Sequence, residues 1–192
     1  MMQIESFFPF IVFLAFFVII YISSRKGNET LKKLSTHFNG SVVKFAFYPT
    51  FYGEHHGLKF SIKLIPASKS TPPRLKISLI KSSFLKLSIY REGFLSNVGK
   101  RLRIIREVKI NDELFNKEFL IFSNNSKQAI SHLSDEAVKT AARELFNEGF
   151  EYIIANCKTF TIQKPNYVLE RDLDAKYITS ILQKLILFSK GL

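Results

Sequence analysis

Three groups of residues have side chains suited to chemistry, and each is tested by spacing. Glu54-His55-His56 is the one cluster of metal-ligand type. On an extended segment Glu54 and His56 face one way and His55 the other, leaving two ligands where a structural zinc site needs four and a catalytic one three. The rest would have to come from His37, His132 or distant carboxylates, so a solvated hairpin tip is the preferred reading. His132 lies near Ser131 and Ser134-Asp135, but residues adjacent on a helix do not face one another, and no G-x-S-x-G precedes any serine. Asp112 reads as a turn or cap residue before it reads as a catalytic acid. Neither G-x-G-x-x-G nor G-x-x-x-x-G-K-[ST] occurs, so phosphate-loop nucleotide binding has no support. The sequence assigns no catalytic residue, no metal site and no cofactor. A membrane-tethered enzyme, metal-assisted and built around Glu54, His56 and Asp112, stands as the alternative.

What survives is charge. The formal net charge is +12, and it is unevenly placed. Residues 59–110 hold 13 Lys or Arg against 2 Asp or Glu, whereas residues 111–192 hold 10 against 11. Biased codon usage would enrich lysine in both halves alike, so the asymmetry belongs to a surface. Lys59, Ser61 and Lys63 alternate with apolar neighbours, as do Lys76 with Ser78 and Lys86 with Ser88. Paired strands would set them on one sheet face, which Lys100, Arg101 and Arg103 would extend. A wet face needs polar residues, and lysine discourages edge pairing; that accounts for the lysines but not for the scarcity of acids. The face reads either as a solvated sheet surface or as an interaction surface for anionic lipid headgroups or an acidic protein partner. Nucleic acid is disfavoured, because no aromatic residues are interleaved to stack bases.

The elements that must position this face follow from periodicity. Leu58 to Leu64, Leu75 to Leu79 and Leu85 to Ile89 alternate with period two and are predicted as three successive strands of an antiparallel meander. Ser41 to Phe51 is β-prone, and Gly53-Glu54-His55-His56-Gly57 suits a hairpin connection. Residues 94–106 are ambiguous between helix and loop. Asn111-Asp112 is turn chemistry, followed by one helical turn over Glu113 to Lys117 and a strand over Glu118 to Ser123. A short helix at Leu31 to Phe38 ended by a left-handed Gly40, two more at Ser126 to Leu133 and Ser134 to Asn147, the latter capped by Ser134, a hairpin from Phe150 to Gln163, and a closing helix from Asp172 to Lys190, capped by Asp172, complete the chain. Runs of strands and helices that do not alternate one for one indicate α+β.

Ahead of this domain, Phe7 to Ile22 contains no charged residue, and thirteen of its sixteen positions are Phe, Ile, Val or Leu. It reads as a transmembrane helix rather than a signal peptide, since no Lys or Arg precedes it and no small-x-small site follows. Arg25, Lys26, Lys32 and Lys33 come after it, so the positive-inside rule places the N-terminus outside and the C-terminal domain in the cytoplasm. The expected organisation is an anchor and juxtamembrane linker over residues 1–28 and one cytoplasmic α+β domain over residues 29–192. In that class an N-terminal transmembrane helix precedes an antiparallel β-meander covered by C-terminal helices, in a single-pass protein whose partner is the lipid bilayer. The lone cysteine, Cys157, is compatible with a reducing compartment.

The stretch Asp112 to Ser123, DELFNKEFLIFS, resembles a recurring pattern in uncharacterised bacterial membrane-anchored proteins: an acidic turn, an F-[ND]-x-x-F core, a strand and a helix after a β-rich half. Leu87 to Phe94, LSIYREGF, is similar to the segment that precedes the pattern there. The resemblance implies membrane association and no established activity, and supplies no catalytic residue. On physical grounds Phe115 and Phe119, four apart, are predicted to share one face of a helical turn and to pack against a core strand.

Overall fold

The computed structural model describes residue 18 and residues 25–45, 48–92 and 107–191. A helix over residues 25–33 (α1) and the short α2 (Ser35–Phe38) lead into β1 (Ser41–Phe45), β2 (Tyr48–His55), β3 (Leu58–Ile65), β4 (Arg74–Ile80) and β5 (Leu87–Arg91). Then come α3 (Glu113–Glu118), β6 (Phe119–Ser123), α4 (Ser126–His132), α5 (Glu136–Asn147), β7 (Tyr152–Ala155), β8 (Thr159–Pro165), α6 (Leu169–Asp172) and α7 (Ala175–Phe188). The eight strands form one antiparallel sheet in the order β1-β2-β3-β4-β8-β7-β5-β6.

Period-two alternation gives the sheet one apolar side. Phe60, Ile62 and Leu64 of β3, Leu75, Ile77 and Leu79 of β4, and Phe160 and Ile162 of β8 are buried in a single cluster with Leu145 and Phe146 of α5 and Ile181, Leu182 and Leu185 of α7. The helices therefore cover one side of the sheet, and burial of these side chains is the main stabilising term. Each long helix starts on a side-chain cap. Asp135 accepts from Ala137 N for α5, and Asp174 accepts from Lys176 N and Tyr177 N for α7, each satisfying amides that the first turn leaves unpaired. Ser134 and Asp172, the residues expected to cap, do other work: Ser134 Oγ donates to Ile130 O, and Asp172 is buried.

His56 and Gly57 both take positive φ, 50° and 75°, which is the two-residue hairpin turn whose twist matches its strands. After α2 it is Asn39, at φ 43°, that adopts the left-handed conformation, not Gly40. Gly40 is required for a different reason: a Cβ there would lie 2.2 Å from Tyr52 O and 2.4 Å from the Phe51 ring.

The structure corrects the expected class and placement. No helix among the described residues is long and apolar enough to cross a membrane. The transmembrane helix expected over Phe7 to Ile22, which apart from Val18 lies outside the described residues, is withdrawn on that finding. With it go the single-pass class, the N-terminus outside and the cytoplasmic domain. The basic flank that oriented the expected anchor has a local explanation. Arg25, Lys26, Lys32 and Lys33 are the exposed side of α1, whose other side buries Gly27, Asn28 and Leu31. An amphipathic helix needs such a polar stripe without any membrane nearby.

The α+β character stands, but the three-strand meander is interrupted. β3 pairs with β4 as expected, whereas β4 pairs next with β8 and β5 pairs with β7. The C-terminal hairpin β7–β8 is inserted between two strands that are neighbours in sequence. The β-prone run from Ser41 is also two strands, β1 and β2, paired with each other.

Candidate functional site

The side of the sheet turned away from the helices carries the candidate site. The registers Thr50↔Lys63, Lys63↔Lys76 and Lys76↔Gln163 set these four residues in one row across β2, β3, β4 and β8. Lys59 and Ser61 share the same face of β3, and Arg74 and Ser78 that of β4, by strand alternation. Lys59 and Lys63 are exposed and Lys76 partly so. Like charges directly opposite on neighbouring strands disfavour the pairing they sit on. The Lys63–Lys76 pair places two positive charges opposite one another near the middle of β3 and β4. Glu54, in register with Lys59, offers a nearby acid at one end.

Beside the lysines the face becomes polar and then aromatic. Ser78 Oγ and Thr161 Oγ1 lie 3.0 Å apart, and both residues are buried. Tyr152 OH donates to Gln163 Oε1 at 2.8 Å, and the Tyr152 and Tyr90 rings lie 6.1 Å apart. Burial pushes the Tyr152 phenol up to about 12, against the opposing pull of Arg74. The Glu151 carboxyl is likewise raised by burial, and again Arg74 counters it. Arg74 thus acts electrostatically on Glu151 and Tyr152 beside this face. At the other side Tyr52 and Val43 are about half exposed, at 47% and 50%, which flanks the lysines with apolar surface.

Of the residues expected to form a basic face, Lys59, Lys63 and Lys76 do share it. Lys86 does not join them. It precedes β5, with β8 and β7 between it and β4, and its backbone is held by Asn124 and Ser123. Lys100, Arg101 and Arg103 lie outside the described residues. Arg74 and the tyrosines were not foreseen as parts of this face; the alternation Arg74-x-Lys76-x-Ser78 carried the signal for the former.

The alternative constellation is not assembled. Glu54 and His56 sit at the β2–β3 turn, where Phe38 stacks edge-on against His55 and His55 lies against His56. Burial, with the charge of His56, depresses the His55 pKa. Asp112 caps α3 ahead of β6, five strand spacings from β3, or roughly 24 Å at ~4.8 Å each. Its Oδ1 accepts from Phe115 N at 2.9 Å, and its Oδ2 takes a 2.8 Å contact from Lys139. Lys139 and the Phe115 amide hold the carboxyl below the usual range. Among the described residues no three His, Cys, Asp or Glu side chains converge as a metal cage would require.

The acidic-turn motif has a structural account. Asn116 clamps Ile110 by a reciprocal pair, its Oδ1 accepting from Ile110 N at 3.0 Å and its Nδ2 donating to Ile110 O at 2.6 Å. Phe115 and Phe119 are buried with ring centroids 4.6 Å apart, and Phe119 stacks on Phe146. These contacts lock α3 onto the edge strand and the α5 helix.

A second charged cluster escaped sequence reasoning and lies on the helix side. Asp172 is fully buried and accepts from Lys164 Nζ at 3.0 Å, Val168 N at 2.8 Å and Arg171 Nε at 2.9 Å. Burial alone would raise its carboxyl, but Arg171, the Val168 amide and Lys164 more than offset it and hold it low. Lys164 also donates to Tyr177 OH at 3.0 Å. With every polar atom engaged by fold residues, this cluster is a fastener between β8, α6 and α7.

No family model and no curated protein matches the chain. Among solved structures it is similar to the crystal structure of the mycobacterial trehalose monomycolate transport factor A, TtfA, with a TM-score of 0.57 and 12% identity over 86% of this chain and 91% of that one. At that identity the likeness concerns the fold.

Proposed function

We propose that this domain is a lipid-interacting module, and that the outer sheet face around Lys59, Lys63 and Lys76 meets anionic lipid headgroups. The carrying observation is the in-register Lys63–Lys76 pair on the side of the sheet that the helices leave open. A cation near an anionic leaflet gains up to about 1 kcal/mol, so three lysines at one level supply a few kcal/mol of reversible attachment. Tyr52 beside them has the amphipathic ring favoured at a headgroup level. That a structure of the same fold is named a trehalose monomycolate transport factor is compatible with a lipid-facing role. An acidic protein would present the same complementary charge, and the test separates the two.

The 192-residue chain is mixed with phosphatidylglycerol and with phosphatidylcholine vesicles and sedimented. Preferential recovery with the anionic vesicles, falling by up to about thirty-fold in a Lys63→Ser/Lys76→Ser variant, is expected from the two lost cations. Equal recovery with both lipids removes the headgroup reading and leaves an acidic protein as the occupant.

A further inference from the structure

The end of the sheet formed by the β4–β5 loop presents a second surface, distinct from the lysine row. Phe84 in that loop is 96% exposed, although most other phenylalanines of the described residues are buried. Exposure of one large apolar side chain is ordinary in itself. What surrounds Phe84 is less so. Lys81 N donates to Lys158 O at 3.1 Å and Ser83 N to Cys157 O at 3.4 Å, which ties the loop to the β7–β8 turn. Lys81 Nζ donates to the backbone carbonyl of Ser189, which ties it to the end of α7. Lys86, Lys158 and Lys190 are exposed around the same end, and Ile80 at the end of β4 is 44% exposed. Phe84 forms one wall of a cleft of about 360 Å³ with Leu85, His132, Val138 and Lys190; the acid lining it is Asp135, the α5 cap.

We propose that this lysine-ringed Phe84 tip inserts into the interfacial region of an anionic lipid layer. This rests on the lipid reading above and specifies where apolar contact is made. The occupant follows from shape and charge together. A protein partner would need a rigid pocket matched to one projecting ring, whereas a lipid interface closes around any apolar tip and places its phosphates at the height of the surrounding ammonium groups. The loop is braced by backbone hydrogen bonds to the β7–β8 turn and by the Lys81 side chain at the end of α7, so little conformational freedom is lost on insertion.

Cys157 is the single cysteine of the chain and is exposed in the turn that braces the tip. A polarity-sensitive dye attached there reports on this end specifically. With the 192-residue chain and phosphatidylglycerol vesicles, the emission is expected to shift to the blue and the dye to be shielded from iodide, with no such change on phosphatidylcholine. Phe84→Ser, which alters a side chain with almost no packing to lose, is expected to weaken the response about ten-fold or more. Lys86→Ser/Lys158→Ser/Lys190→Ser is expected to weaken it about a hundred-fold, near five-fold per lysine. A dye that stays accessible to iodide while the chain still sediments with anionic vesicles overturns the tip and spares the sheet face. So does a dye response that Phe84→Ser leaves intact. No response to either vesicle, together with no anion-dependent sedimentation, removes both readings and points the lysines toward an acidic protein surface.

Discussion

The two sides of the sheet treat positive charge in opposite ways. On the helix side cations are consumed: Lys164 and Arg171 lie on Asp172, Lys139 and Arg143 on Asp112, and Lys184 on Glu144 and Glu148. On the open side Lys63 faces Lys76. The uneven charge along the chain thus becomes uneven charge in space, because β3 and β4 come from the acid-poor third and the helices from the balanced one. Buried ion pairs on the helix side serve the fold, whereas two lysines directly opposite on neighbouring strands disfavour the pairing they sit on and raise the positive potential of that face.

The largest effect should come from breaking the buried ion pair on the helix side. Asp172→Ala leaves Lys164 buried beside Tyr177 without its carboxylate, and a loss of about 3–5 kcal/mol in urea unfolding is expected. A loss below about 1 kcal/mol would mean that the cluster is solvated and the contrast between the faces overstated.

His132 sharpens the comparison, since it is a titratable group on the helix side whose Nε2 has no hydrogen-bond partner among the described residues. It packs edge-on to Phe188 at 5.3 Å, and burial lowers its pKa to about 4, helped by Lys81 and opposed by the Phe188 backbone and Asp135. Its folded pKa lies below the unfolded value near 6.5, so the unfolded chain holds more protons between the two. Stability should therefore fall as pH drops from about 6.5 to 4, by up to roughly 3 kcal/mol at about 1.4 kcal/mol per unit. His132→Leu should flatten that slope, and an unchanged slope would assign it to another group.

A smaller cost belongs to Asp112→Ala, which removes the α3 cap and the partner of Lys139; about 1–2 kcal/mol is expected in thermal or urea unfolding. Because the carboxyl is held low, the wild-type advantage should be present above pH ~4 and fade as the pH falls through the depressed folded value. Least of all, Lys63→Ser/Lys76→Ser should change stability by no more than about 0.5 kcal/mol in either direction. A loss of several kcal/mol there would show that the open face is structural after all.

Much of this was legible from local pattern. The strands β3, β4 and β5, the hairpin β7–β8, the turn before α3, and helices α5 and α7 lie close to where alternation, caps and helical spacing predict them. Lys59, Lys63 and Lys76 share a face because side chains alternate strictly along a strand and β3 and β4 are joined by a short link. Lys86 does not, because pairing order is a tertiary matter: β8 binds β4 before β5 can. The cap of α7 was misplaced by two residues, since Asp172 and Asp174 are equivalent in sequence and only packing makes one a buried partner of Lys164. An apolar run read as a transmembrane helix found no spanning helix among the described residues, and its basic flank proved to be the wet side of α1.

By itself the amino-acid order determined what short-range physics can determine: which residues point to opposite sides of each strand, where helices begin, and that acids are scarce over residues 59–110. Only the tertiary structure decided that the last hairpin enters the middle of the sheet, that Asp172 is buried, and that Phe84 stands exposed at one end among lysines. The reason is physical. Alternation and capping are set within a few residues by backbone geometry, whereas strand order and burial depend on which distant surfaces exclude water together, and no local pattern encodes that choice.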